Sequence, residues 1–167
     1  LAPIEYIAPL LRGLVADPAG DDWRRLVMEF RQSKPTLDYI NGIDVRRYAT
    51  TGPVTPDHVI RTKPKPLILP PPRQSDPLGF AEAAASAIDG YEKDYRRYFA
   101  RNNKTQKSPK TALDPLPRVI LVQGVGLFGL GKSAKDAKIA ADLAETTARV
   151  IVDAERLGRY KCIPEKN

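Results

Sequence analysis

Three groups of residues have types and spacings that chemistry could use. The run Gly126-Leu127-Phe128-Gly129-Leu130-Gly131-Lys132-Ser133 matches G-x-x-x-x-G-K-S. In that pattern backbone amides cradle phosphate, the Lys reaches the outer phosphates and the Ser binds Mg²⁺. The overlapping run Gly124 to Gly129 matches the dinucleotide fingerprint G-x-G-x-x-G. The lone histidine, His58, stands beside Asp57 and is followed by Arg61, Thr62 and Lys63, a set able to gather around a sugar phosphate or a carboxylate. Lys132 is a further cation for an anion at a helix start. Cys162 has no His beside it in sequence to activate it, and one histidine supports no convincing Ser/His/Asp triad.

The glycines have a competing explanation. A phosphate loop leaves its amides open, yet Leu127, Phe128 and Leu130 favour burial as a strand. Only 34 residues follow Ser133, nearly all of them one helical pattern, so no later strand can end in a Mg²⁺-binding Asp. A dinucleotide fold requires an acidic residue at the end of a second strand about 20 residues on, whereas Asp153 and Glu155 fall within the helix. The glycines therefore read as turns between buried strands, with a nucleotide-binding loop over Gly126–Ser133 as the alternative. For His58 the simpler role is a hydrogen bond that orders a proline-rich loop, and for Lys132 a solvated or capping position.

These residues need elements to hold them. Ile4–Leu14 reads as a helix, Asp21-Asp22 as the cap of a second over Trp23–Arg31 with Leu26, Val27 and Phe30 on one face, and Pro35–Tyr48 as a third. Val59-Ile60 and Leu67–Leu69 read as short strands, and Pro64 and Pro66 confine that part to a sheet edge or crossing loop. Asp76-Pro77 starts a helix that runs to about Arg101. Its stripe of Phe80, Ala84, Ala87, Ile88, Tyr91, Tyr95, Tyr98 and Phe99 reads as core. A polar loop over 101–116 precedes the strand Arg118–Gln123. Ser133, with Asp136 three residues on, caps a last helix whose inner face is expected to carry Ala140, Leu143, Ala144, Thr147, Val150, Ile151, Ala154 and Leu157, ending at Gly158.

The 167 residues suit one domain, with a helical part over about 1–50 and an α/β part over about 51–160, and can bury roughly 70% of the unfolded surface. A hydrophobic content of 42% with 28% charged residues is that of a globular chain. The net charge of +7 is spread along the chain and interleaved with acids, without a nucleic-acid-binding pattern, which argues against nucleic acid as a partner. No run approaches the roughly 20 apolar residues of a membrane span. One cysteine and no signal-like opening point to the cytoplasm, and a start at Leu1 suggests a piece of a longer polypeptide.

The order apolar strand, turn, strand, Gly-Lys, long helix resembles the closing block of class II aldolase/adducin domains, in which Asn-His-Gly and four mainly apolar residues precede Gly-Lys. Alignment on Gly131-Lys132 places the family's Asn-His on Gly124-Val125, so Val125 stands at the metal-binding His. The family's His-x-His falls nearest His58-Val59-Ile60, where Ile60 replaces the second His. One imidazole of three remains, too few for a catalytic zinc, which takes three protein ligands. The blocks GPVTPDHVIRTKPKPL and PRVILVQGVGLFGLGK are similar to the second aldolase-like segment of bifunctional rhamnulose-1-phosphate aldolase/short-chain dehydrogenase proteins. The resemblance implies a three-layer α/β/α fold with a mixed sheet, degenerate in that metal ligands and catalytic residues are lost. It implies that zinc and NAD belong to flanking domains of a carbohydrate-catabolic polypeptide. Partners would be those domains, a second copy of the chain, and a sugar phosphate.

Overall fold

The structure, a computed structural model, describes residues 1–19, 22–104, 106 and 108–162, with backbone alone at 17–19 and 22–24. In chain order the elements are α1 (Ile4–Leu14), β1 (Ala16–Ala19), β2 (Asp22–Arg25), β3 (Val27–Arg31), α2 (Lys34–Ile40), α3 (Val45–Tyr48), α4 (His58–Thr62), β4 (Leu67–Leu69), α5 (Pro77–Asn103), β5 (Val119–Val122), β6 (Gly126–Gly131) and α6 (Ala134–Leu157). β1 and β2 form an antiparallel hairpin, and the main sheet has the order β3-β6-β5-β4. β4 pairs parallel to β5, and the other two pairings are antiparallel, so the sheet is mixed.

Strand residues alternate between two cores, as the period of two requires. Leu67, Leu69, Ile120, Val122, Phe128 and Leu130 meet Ile7 and Leu11 of α1 and Phe80, Ala84 and Ile88 of α5. Ile68, Val119, Leu121 and Leu127 face the opposite way, onto Tyr39 and Ile40 of α2, Val45 and Tyr48 of α3, and the alanines of α6. The outcome is the α/β/α arrangement with a mixed sheet that the sequence led us to expect.

The helix expected over Trp23–Arg31 is instead β2 and β3; its cap residue Asp21 lies outside the described residues. Leu26, Met28 and Phe30 alternate into the first core, a period of two that also satisfied the helical spacing. Pro35–Tyr48 is broken into α2 and α3 at Asn41-Gly42. A Cβ on Gly42 would lie 2.2 Å from the Tyr48 hydroxyl, which donates to the Tyr39 carbonyl, and Asn41 Oδ1 accepts the Gly124 amide at 2.7 Å. Val59-Ile60 is helical, not a strand: from Pro56 the chain closes short turns, with the Val59 amide donating to the Pro56 carbonyl at 3.1 Å. Pro56 is pre-set for a first helical turn.

The caps at Asp76 and Ser133 form as expected, each side chain accepting an amide three residues on, at 2.9 and 3.1 Å. Gly124, at φ +78°, makes the turn between β5 and β6, closed by the Val125 amide on the Val122 carbonyl at 3.0 Å.

Candidate functional site

The glycine run is occupied by structure. Gly126–Gly131 is β6, buried along its whole length and paired with β3 on one side and β5 on the other. Its amides belong to a ladder and cannot cradle phosphate, which overturns the nucleotide-loop alternative. Gly129 and Gly131 lie against α6: an added Cβ would stand 2.4 Å from the Ala141 amide nitrogen at the first, and 2.4 Å from that of Ala137 at the second. They are glycines because helix and strand meet backbone to backbone. α6 answers with its smallest residues, burying Ala137, Ala140, Ala141, Ala144, Ala148 and Ile151. The larger Val150 and Leu157 of the expected inner face are exposed instead.

At the start of α6 the Ser133 hydroxyl is engaged twice. It accepts the Asp136 amide at 3.1 Å and lies 2.7 Å from the Asp136 carboxylate. That carboxylate sits at the positive end of the helix and is 3.5 Å from Arg61. Arg61 is thus turned to α6, Lys132 is exposed on the turn before it, and the Lys132 charge acts on Asp114.

His58, Arg61 and Thr62 share the single turn of α4. The Thr62 hydroxyl donates to the His58 carbonyl at 2.9 Å, and His58 Nδ1 is buried without a hydrogen-bond partner among the described residues. Lys63 is drawn away from them. Its residue is 2% exposed, with φ +62° and ψ 173°, a backbone region nearly reserved for glycine and strained for lysine. Its Nζ donates to the Asp114 carbonyl and stands 3.7 Å from the centre of the Tyr95 ring. Burial, then the nearby Arg118 charge, lowers the Lys63 pKa to about 7, against the opposing pull of Asp114 and Glu92.

Arg118 grips Asp114 through two hydrogen bonds of 2.9 and 2.5 Å, both side chains close to seven-eighths buried. Burial raises the Asp114 pKa, but Arg118, joined by the Lys63 and Lys132 charges, outweighs it and holds the carboxyl below its ordinary value. Thr62 and Lys63 also border a cavity of about 40 Å³ beside Tyr39 and Val119. That is water-sized, far below the ~300 Å³ of the smallest ligand pockets. The five expected ligand residues therefore form no single substrate pocket. Sequence reasoning missed Asp114 and Arg118; their i, i+4 spacing was a signal, hidden because Pro115 and Pro117 mark the segment as loop.

The position that the resemblance gives to a metal-binding His is Val125, 6% exposed within the first core among Phe128 and Val122. This apolar setting does not fit a metal. Among the described residues no three His, Cys, Asp or Glu side chains converge as ligands.

Comparison with known proteins agrees with this architecture. The family described as "Aldolase class II, second domain" matches residues 3–167. The oxidoreductase YuxG of Bacillus subtilis (strain 168), itself uncharacterized, is 26% identical over 160 residues, 95% of this chain but 22% of its own length. Crystal structures of YgbL, whose description leaves aldolase, epimerase and decarboxylase open, share the fold. The Klebsiella pneumoniae protein superposes with a TM-score of 0.50 at 18% identity, over 76% of this chain and 48% of its own. The Escherichia coli protein gives 0.52 at 15%, over 83% and 54%. The chain thus spans about half of each YgbL and less than a quarter of YuxG. With the match running from residue 3 to residue 167, the chain belongs to the class II aldolase family as its second domain.

Proposed function

We propose that this domain is a metal-free partner within a longer bifunctional polypeptide, a sugar-phosphate aldolase joined to a short-chain dehydrogenase of carbohydrate catabolism in the cytoplasm. It completes the aldolase part by packing against neighbouring domains or a second copy, while zinc and NAD are held elsewhere in the polypeptide. The observation that carries this reading is Val125: the place of the metal-binding His is filled by an aliphatic side chain buried in the core. The oxidoreductase name of a relative more than four times the length of the shared segment supports the bifunctional setting. Elemental analysis of the purified chain, with a retro-aldol assay on rhamnulose 1-phosphate, tests it. We expect zinc well below stoichiometry and no cleavage. One zinc per chain, lost in His58→Ala, together with cleavage, would overturn the proposal.

One observation favours a second role, sugar-phosphate contact at His58: its buried, unpartnered Nδ1. Arg61 and Lys132 are the cations near enough to the start of α6 to take part, and Lys63 is already committed to Asp114. If the contact exists, rhamnulose 1-phosphate binding is lost in His58→Ala; equal binding by that variant removes the idea.

A further inference from the structure

The two edges of the main sheet are closed differently. At one side the last strand is β4, three buried residues framed by Pro64 and Pro66 before it and Pro70, Pro71 and Pro72 after it, and proline cannot donate to a further strand. At the other side the last strand is β3, five residues reading Val-Met-Glu-Phe-Arg, with no proline, glycine or lysine. It pairs with β6 residue for residue, so no bulge turns it aside. The hairpin of β1 and β2 is a sheet of its own and does not extend it. Among the described residues no backbone hydrogen bond from outside the β6 ladder reaches β3, and all five of its residues are only half-buried. An edge left in this state is a template for another strand.

The side chains of β3 select that strand. Glu29 and Arg31 lie on the α6 face, where Arg31 donates to Glu29 and, at 3.1 Å, to Asp142. Met28 and Phe30 pack toward the first core, with the Phe30 ring centre 5.0 Å from that of Phe128. Residues directly opposite in an antiparallel pair share a face. A second copy of β3 centred on Phe30 therefore sets its Arg31 opposite Glu29, twice by symmetry, with one Phe30 opposite the other. Centred on Glu29 it would oppose two carboxylates, and centred on Arg31 two guanidiniums, and like charges across a pair are unfavourable. Centring between residues turns the apolar side chains of one copy to the charged face of the other. The strand is thus self-complementary in one register, as a two-fold interface requires. We propose that two copies of this domain join edge to edge through β3, making one continuous sheet with Glu29 and Arg31 paired across the two-fold axis. The open edge and its charges do not depend on the loss of metal, so this interface and the zinc reading fail by different measurements.

Analytical ultracentrifugation from about 1 µM to about 1 mM protein, the range in which small interfaces associate, tests it, with hydrogen exchange measured at both ends of that range. Salt at about 0.15 M screens the net charge of +7 between copies. A dimer is expected to form as concentration rises. Exchange of the outward amides in residues 27–31 should slow about tenfold where about nine-tenths of the chain is dimer, while exchange in residues 67–69 stays the same. Glu29→Lys, which sets like charges across the axis at both pairs, should weaken the dimer about tenfold or more. Glu29→Gln, which only removes the attraction, should weaken it less, and both variants should keep the circular dichroism of the parent. A chain that stays monomeric throughout, a dimer unweakened by either substitution, or a dimer that leaves exchange in residues 27–31 unchanged would overturn the proposal.

Discussion

The two faces of the central sheet are packed by opposite means. Toward α6 the strand presents Gly129 and Gly131 to alanines, and backbone touches backbone. Toward α1 and α5 it presents Phe128 and Leu130 to Ile7, Leu11 and Phe80, and side chains fill the space. A face made by removing side chains has no room to add one. A face made of large side chains can lose one and leave a void, and its covering helix can run past the sheet, as α5 does. Among the described residues the tyrosine-lined groove lies along the second half of α5, whereas the space beside Ala144 and Thr147 of α6 is only water-sized.

The largest expected effect is on the side-chain face. Phe128→Ala, at 1% exposure and 5.0 Å from the Phe30 ring centre, should lose about 3–5 kcal/mol in urea unfolding. Gly129→Ala on the other face adds one methyl against the backbone of α6 and should lose about 1–3 kcal/mol. If Gly129→Ala were neutral in the same experiment, the two faces would not differ as described.

The corner at Lys63 sharpens the contrast, because there the side chain that fills space is an amine. Its folded pKa of about 7 lies below the ordinary 10.5, so between those values the unfolded chain holds the extra proton. Stability should therefore rise as pH increases from about 7 toward 9.5, by up to about 1.4 kcal/mol per pH unit, and be flat in this respect below 7. Lys63→Met should remove that slope. Urea midpoints across this range check it, and a slope unchanged in the variant would show that the amine is not the titrating group. Higher pH is less informative, since burial raises the pKa values of Tyr91 and Tyr95 and their ionisation opposes folding.

The smallest effects belong to the turn before α6. Ser133→Ala should lose about 1 kcal/mol with its cap, and the exposed Lys132→Ala less than about 0.5 kcal/mol, both by thermal unfolding. A loss at Lys132 larger than at Ser133 would mean that the lysine does more than face solvent.

The second half of the fold was the more legible in sequence, for physical reasons. Val119–Val122 is continuously apolar because β5 is covered on both faces, and Ser133 and Gly158 punctuate α6 by local chemistry. Residues 22–31 were misread because Leu26, Val27 and Phe30 fit a helical spacing while Leu26, Met28 and Phe30 fit a strand. Only the sheet that receives them decides. The inner face of α6 is displaced because hydrophobicity favours Leu143, Val150 and Leu157, whereas opposite Gly129 and Gly131 there is room only for alanine, and the larger buried residue, Ile151, comes further along the helix. Four of the candidate ligand residues, His58, Arg61, Thr62 and Lys63, are neighbours in sequence but diverge in space: one strained residue turns Lys63 inward while Arg61 continues outward to Asp136. The tyrosine groove was hidden because a stripe of aromatics at helical spacing looks the same whether or not the sheet extends far enough to cover it.

The Ser133–Asp136 arrangement has one more consequence. The start of α6 comes supplied with its own counter-ion, fixed by the chain and shared with Arg61. A free phosphate could enter only by ion exchange, displacing a carboxylate that is covalently tethered and present at high effective concentration. The stretch of sequence most suggestive of an anion receptor is thereby neutralised from within, and its selectivity is for its own side chain.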